Sequence, residues 1–328
     1  MLEPNLRELT AAYGPAGREE AVRAALARLA GPLCESLAVD PLGNLIAFRP
    51  GGSGKKLMLC AHMDQIGLMV TDIDEKGFLR CAAIGGLKPA YALARRVVFE
   101  NGCLGTVFLE AGKKKPDELA DLYIDIGATG RAEAEAKVSI GDAAVFHAPL
   151  ALEGDLAVGG ALDDRLGCAV LLEALEAPCP HDLYAVFSAQ EEVGARGAGP
   201  AAYGIRPDLA VALDVTPAVD IPGPKAPPAP IALGRGPALK MMDGSVVVSG
   251  PVRRLLEERA AAAGVAVQYE VLKAGGTDTG ALSRAGTGVP AGCVSFPCRY
   301  LHTPVETASL ADARGAAAWI KAILGANL

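Results

Sequence analysis

Four short apolar runs, "KKLMLCAH" at 55–62, "DLYAVFSA" at 182–189, "LAVALD" at 209–214 and "AGCVSFP" at 291–297, are separated by stretches of helical periodicity. The helical stretches include "REEAVRAALARLA", "GCAVLLEALE", "RRLLEERAAAAG" and "ARGAAAWIKAIL". Runs of strand length alternating with helices are the rhythm of an α/β fold, a mostly parallel sheet with helices on both faces.

That rhythm breaks between Leu68 and Glu153. There the chain reads as short, closely spaced β patterns and turns: "LMVTDIDEKGFLRCA", "RRVVFENGCLGTVFLEAG" and "GDAAVFHAPLALEG". One helical pattern, "RAEAEAKV" at 131–138, interrupts them. The expected organisation is one α/β domain formed by 1–67 and 154–328, with a β-rich, barrel-like domain, 68–153, inserted into it. Its strand edges and apolar patches are expected to be covered between subunits, making the protein a homo-oligomer. The stretch "IPGPKAPPAP" at 221–230 reads as a proline-rich surface loop.

Charge and cysteine usage exclude several functions. Acidic residues outnumber basic ones, 38 to 31, and the longest basic run is "KKK" at 113–115, so nucleic acid is not an expected partner. No segment approaches the roughly 18 apolar residues of a membrane span, and the first residues lack the charged and apolar regions of a signal peptide. A cytoplasmic protein that does not enter membranes is expected. The eight cysteines form no CxxC pair, against a zinc ribbon or redox motif. Cys60, two residues before His62, would share its face on a strand.

Acids and histidines collect where the apolar runs end. His62 and Asp64 follow "LMLCA", Glu191 and Glu192 follow "AVFSAQ", and Asp214 follows "AVAL". Asp163, in "ALDDRLG", stands at a helix entrance, and His302, in "RYLHTPVE", stands in the loop after "CVSFP". The carboxyl ends of the strands form the ligand crevice of an open α/β sheet, so these groups belong to one edge. Each has a plain structural alternative: Asp163 or Asp164 suits a helix cap, and a glutamate pair in a turn is ordinarily solvated. Together, however, His62, Asp163, Glu192, Asp214 and His302 make five potential ligands. Crowding so many carboxylates costs several kcal/mol each unless cations neutralise them. Two divalent cations sharing one carboxylate satisfy the count, and a water held between them becomes a nucleophile near neutral pH.

The sequence resembles the tetrahedral aminopeptidases, dinuclear metallopeptidases that include glutamyl and leucyl aminopeptidases. The likeness is carried by "AHMDQIGLMV", "GFLRCAAIGG", "LYIDIGA", "ALDDRLG", "QEEVGARGA", "RGPALKMMD", "GGTDTGALSRAGTGVP" and "RYLHTPVE", in the family's order and over nearly the whole chain. The resemblance implies that His62 and Asp214 hold one metal, Glu192 and His302 the other, and that Asp163 bridges them. It implies Glu191 as general base and Asp64 as a catalytic acid just outside the ligands. Gln65 departs from the family, which more often has an acid there. The implied activity is removal of N-terminal residues from short peptides by a metal-bridged hydroxide. Zinc is the expected metal, with cobalt and manganese as alternatives; the resemblance implies that 1–67 and 154–328 form the catalytic domain and 68–153 the dimerisation domain of a dimer that can build a tetrahedral dodecamer.

The alternatives are a carboxypeptidase or deacylase on a similar dinuclear site, an endoglucanase, and a non-catalytic metal-binding protein. A glycosidase would use two carboxylates and leave the histidines idle. A carboxypeptidase would need a cationic clamp that no motif locates.

Overall fold

The computed structural model describes residues 2–223 and 231–328. Within them the four apolar runs become adjacent parallel strands, in the order Asp182–Ser188, Lys56–His62, Leu209–Pro217, Ala291–Arg299. Alternate residues of Lys56–His62 enter different cores: Leu57, Leu59 and Ala61 join one cluster, Met58 and Cys60 another. Both faces are buried, which is why these strands read as continuous apolar runs instead of alternating ones. The first cluster takes residues from helices Leu2–Ala11, Glu20–Ala30, Leu162–Leu175, Gly250–Ala262 and Leu310–Leu324. Helices Ala198–Ile205 and Asp278–Ser283 cover the opposite face.

Seven further strands, paired antiparallel except for Gln268–Val271 with Ala238–Met242, extend the sheet to eleven among the described residues. Leu45–Arg49 and Ser36–Val39 continue it beyond Asp182–Ser188; Glu306–Ser309, Leu156–Gly159 and Ala151–Glu153 continue it beyond Ala291–Arg299. Ala238–Met242 branches from Ala291–Arg299 and carries the edge strand Gln268–Val271.

Strands Gly67–Ile73, Leu79–Ile84, Leu122–Asp125, Leu104–Leu109, Arg96–Phe99 and Ala143–Phe146 form a closed antiparallel barrel. Its interior is Leu68, Val70, Val97, Val107, Leu122 and Ile124. Leu104–Leu109 shows the alternation of a strand with one wet face. The last three residues of the β-rich block, Ala151–Glu153, lie in the large sheet and not in the barrel. The expectation of exposed strand edges is corrected by closure: Leu68 pairs with Ala144, joining first strand to last, and a closed barrel has no edge. Apolar side chains remain on its outside, notably Leu104, Phe108 and Ile140, all at least half exposed. Of the proline-rich stretch, 221–223 are exposed and 224–230 lie outside the described residues. No helix among the described residues is long and apolar enough to cross a membrane.

Candidate metal centre

The parallel register brings the first pair together. Ala212 is level with Cys60, and two residues further both chains again face the same way, bringing Asp214 Oδ1 3.8 Å from His62 Nε2. Asp214 is not at the end of its strand, as its place after "AVAL" suggests; the strand continues to Pro217. His62 is the last residue of its own.

Asp163 and Asp164 divide the two readings open to them. The backbone at both is non-helical, and the regular helix begins after them. Asp164 Oδ1 accepts the Gly167 N–H at 3.0 Å and so acts as the helix cap. Asp163 faces the cavity instead, with Oδ1 2.9 Å from His62 Nε2 and Oδ2 3.4 Å from His302 Nε2.

His302 sits in the turn between Ala291–Arg299 and Glu306–Ser309 with φ at +58°, a left-handed conformation uncommon for a residue with a Cβ. Its Nε2 lies 3.2 Å from Glu192 Oε2, and its Nδ1 lies 3.1 Å from the Gly86 carbonyl. His62 has the same layout, with Nδ1 3.1 Å from the Asp64 carbonyl. In both rings an Nδ1–H donated to a carbonyl turns Nε2 toward the acids, which hold a proton on it in the metal-free protein and leave it as the ligand atom once a metal displaces that proton.

Two groups of ligand atoms result, each within 4.8 Å: His62, Asp163 and Asp214, and Asp163, Glu192 and His302. Asp163 belongs to both. Glu191 belongs to neither, with Oε2 4.0 Å from His62 Nε2. Asp64 stands behind the pair of glutamates, fully buried, its two oxygens accepting the N–H groups of Glu191 and Glu192 at 2.9 and 3.1 Å. Gln65 belongs to neither group, and its backbone pairs with Gly14 and Ala16.

The electrostatics are those of acids short of cations. Burial pushes Glu191 well above the carboxylate range; His62 opposes this, and Asp214 and Asp278 add to it. Burial likewise raises Asp214, against His62 and Lys240. Asp163 is the exception, since hydrogen bonds from His302 and His62 overcome its burial and hold it well below that range. Burial disfavours charge on His302, yet bonds to Asp163 and Glu192 push it up to about 12. Among the described residues, the only ion-pair partners of Asp163, Glu191, Glu192 and Asp214 are His62 and His302. Glu192 Oε1 is buried without a hydrogen-bond partner. Carboxylates and neutral imidazoles around an uncompensated buried oxygen fit divalent cations in donor type and in sign of charge.

Two further acids escaped the sequence reading. Glu306 is buried, and its oxygens accept the N–H of His302 at 3.0 Å and of Asp163 at 3.1 Å, fixing the two residues together. The signal was an acid four residues after His302. Asp278, in "GGTDTG", accepts from Ser188 Oγ and Cys60 Sγ and leaves Oδ1 unpartnered. Cys60 thus lies beneath His62 as a donor to Asp278 and belongs to neither ligand group.

The site opens into a cavity of about 460 Å³. Val215, Leu272 and Leu301 supply apolar wall, and Lys240 lies beside Asp214 with its ammonium held by Glu270 and, at 3.6 Å, by Asp243.

Known proteins resemble this chain in sequence and in fold. The sequence profile of the family described as M42 glutamyl aminopeptidase matches residues 43–318. A relative in Acetivibrio thermocellus is 44% identical over 315 residues, 95% of this chain and 94% of its own length. The solved aminopeptidase of the archaeon Desulfurococcus kamchatkensis superposes with a TM-score of 0.94 at 37% identity, covering 98% of this chain and 94% of that one. The TET1 peptidase of Pyrococcus horikoshii, described as able to assemble into a tetrahedron or a large octahedral shell, superposes with a TM-score of 0.85 at 30% identity, covering 99% of each chain.

Proposed function

The chain belongs to the M42 glutamyl aminopeptidase family, and from that premise we propose that it is a dinuclear metallo-aminopeptidase that removes N-terminal residues from short peptides. The observation that carries the proposal is the pair of three-residue groups sharing Asp163, with Glu191 beside both and part of neither.

In this reading His62, Asp163 and Asp214 hold one divalent cation and Asp163, Glu192 and His302 the other. Bound there, the cations would supply Lewis acidity, making the attacking water more acidic and polarising the scissile carbonyl. Glu191 takes the proton of the attacking water on its carboxylate and delivers it to the leaving amine. Asp64 holds the backbone that aims Glu191 and Glu192. The histidine tautomers are kept by the carbonyls of Asp64 and Gly86.

Charge favours an aminopeptidase over a carboxypeptidase. Of the two Lys and Arg side chains lining the cavity, Lys240 is held by Glu270 and Asp243 and Arg284 is exposed, so neither makes a buried clamp for a substrate carboxylate. An endoglucanase is disfavoured because the carboxylates converge on two histidines, whereas a glycosidase needs them to flank a sugar. Assembly through the barrel, the division at 68–153, zinc in preference to cobalt or manganese, and a cytoplasmic location belong to the same reading. Support for assembly comes from the TET1 shells and from the exposed Leu104, Phe108 and Ile140.

A panel of aminoacyl anilides, each with its amine free and acylated, tests the proposal after metal loading. Cleavage of free-amine substrates alone is the expected result; preference for the acylated set would move the protein to the deacylase alternative.

A further inference from the structure

The turn that carries both glutamates begins with four consecutive amides, 189–192, beyond the end of strand Asp182–Ser188. A buried N–H without a partner is costly, so each must be satisfied elsewhere. All four donate to side chains from outside the turn. Ala189 N–H donates to Asn44 Oδ1 at 2.8 Å, Gln190 N–H to Glu19 Oε1 at 3.2 Å, and Glu191 and Glu192 N–H to Asp64. Asn44, Glu19 and Asp64 are buried.

The far end of the turn is fastened by the same residues. Asn44 Nδ2 donates to the Gly197 carbonyl at 2.9 Å, and Gly197 N–H donates to the Ala189 carbonyl at 3.0 Å. A Cβ on Gly197 would meet Asn44 Oδ1 at 2.1 Å, so only glycine permits this closure. Between the fastened ends Gln190 is held at φ +57°, a conformation that costs a residue with a Cβ roughly 1–2 kcal/mol. The N-terminal segment that delivers Glu19 is itself tied down. Gly17 N–H donates to Glu19 Oε1 at 2.7 Å, and Arg165, from the helix that Asp163 precedes, donates to the carbonyls of Leu9, Ala12 and Gly14.

We propose that Glu19 and Asn44 are positioning residues for the proposed base: they hold 189–190 in the one backbone geometry that turns the Glu191 carboxylate toward His62 and Asp214. Neither touches the cavity. Glu19 is the more telling of the two, because it reaches the turn from 171 residues away and joins the N-terminal segment to the catalytic edge. The inference rests on Glu191 being the base, but the anchoring can be read separately.

The experiment compares Glu19→Ala, Glu19→Gln and the wild type in the metal-loaded protein, by amide hydrogen exchange over 189–197 and by steady-state kinetics on free-amine anilides. Both Glu19 bonds use one oxygen, which glutamine retains. Glu19→Ala is expected to speed exchange in this segment and to lower kcat by about 10–10²-fold with little change in KM, the loss typical of a reacting group displaced by about 1 Å. Glu19→Gln should recover most of both. Wild-type exchange and kcat in Glu19→Ala would overturn the proposal. So would an equal fall in kcat and unfolding midpoint in both variants, which marks a residue that only supports the fold. If the wild type cleaves no free-amine substrate, the proposed function fails; faster exchange in Glu19→Ala then still supports the anchoring, and unchanged exchange overturns it.

Discussion

Asp163 Oδ1 lies 2.9 Å from His62 Nε2, and both side chains are buried. The other oxygen of the same carboxylate faces His302 at 3.4 Å, so one acid stands between two imidazoles that otherwise belong to different groups.

That position makes Asp163 unlike any other ligand in its effect on metal content. At saturation the wild type should hold two divalent ions per chain. His62→Ala and His302→Ala should each deplete mainly one site, while Asp163→Ala weakens both. Elemental analysis of dialysed protein checks this. One ion in the saturated wild type, with none lost from either histidine variant, would remove the shared carboxylate.

The metal-free protein should lose stability as pH rises from about 5 to about 8. Glu191 and Asp214 are raised by burial above their ordinary values of 4.5 and 3.8, so the folded state keeps protons that the unfolded chain has released. Such groups favour folding at the acid side, and their contribution fades as pH climbs. His62 and His302, raised above 6.5 by their acid partners despite burial, act in the same direction: their contribution is complete below 6.5 and lost as pH rises through the folded value. Asp163 is lowered, so its contribution is lost only as pH falls below about 3.8, outside this window. Thermal midpoints of chelator-treated protein at the two pH values test the sign, and a higher midpoint at pH 8 would contradict it. Saturating metal should raise the midpoint most at pH 8, where protons compete least for the ligands, and a cation at 100 times its Kd adds about 2.7 kcal/mol per site.

Lys240 is fully buried between Glu270 and Asp243. Removing one partner of a buried ion pair leaves the remaining charge uncompensated, at a cost of about 3–5 kcal/mol. Lys240→Met should therefore unfold at markedly lower urea than the wild type, and adding Glu270→Gln should restore part of the difference. An unchanged midpoint in the single variant would mean that the acids take up protons or water without strain.

The parallel centre of the sheet was legible because Lys56–His62 and its neighbours are buried on both faces and contain almost no polar residues to blur them. The barrel-like character of the inserted block was legible from its short β patterns, but not the pairing that closes it, since Leu68 with Ala144 joins strands far apart in sequence. The short edge strand Gln268–Val271 escaped because it is only four residues long and inverts the usual pattern, with Tyr269 and Val271 exposed and Glu270 buried. Asp214 looked like a strand end because a charge breaks an apolar run, although the backbone ladder continues past it. The histidines and acids that meet at the cavity drew notice by their place after apolar runs. Glu306, Glu19 and Asn44 act on backbone amides, and a side chain that serves the backbone leaves no residue pattern of its own.

Glu191 and Glu192 are neighbours with separable surroundings. Glu192 Oε2 lies 3.2 Å from His302 and within one ligand group, whereas Glu191 lies outside both groups and faces His62 at 4.0 Å. Glu192→Gln should therefore weaken metal binding together with turnover. Glu191→Gln keeps size and polarity but cannot accept a proton from water or pass it to the leaving amine, a contribution of about 10²–10⁴-fold to a reaction of this kind. It should retain full metal content and near-wild-type KM while kcat falls at least about 10²-fold. Metal stoichiometry and steady-state kinetics on one preparation of each variant decide between the roles. Loss of metal from Glu191→Gln, with activity restored when metal is resupplied, would exchange the two assignments. Full activity with metal intact would show that the proton is moved by another group.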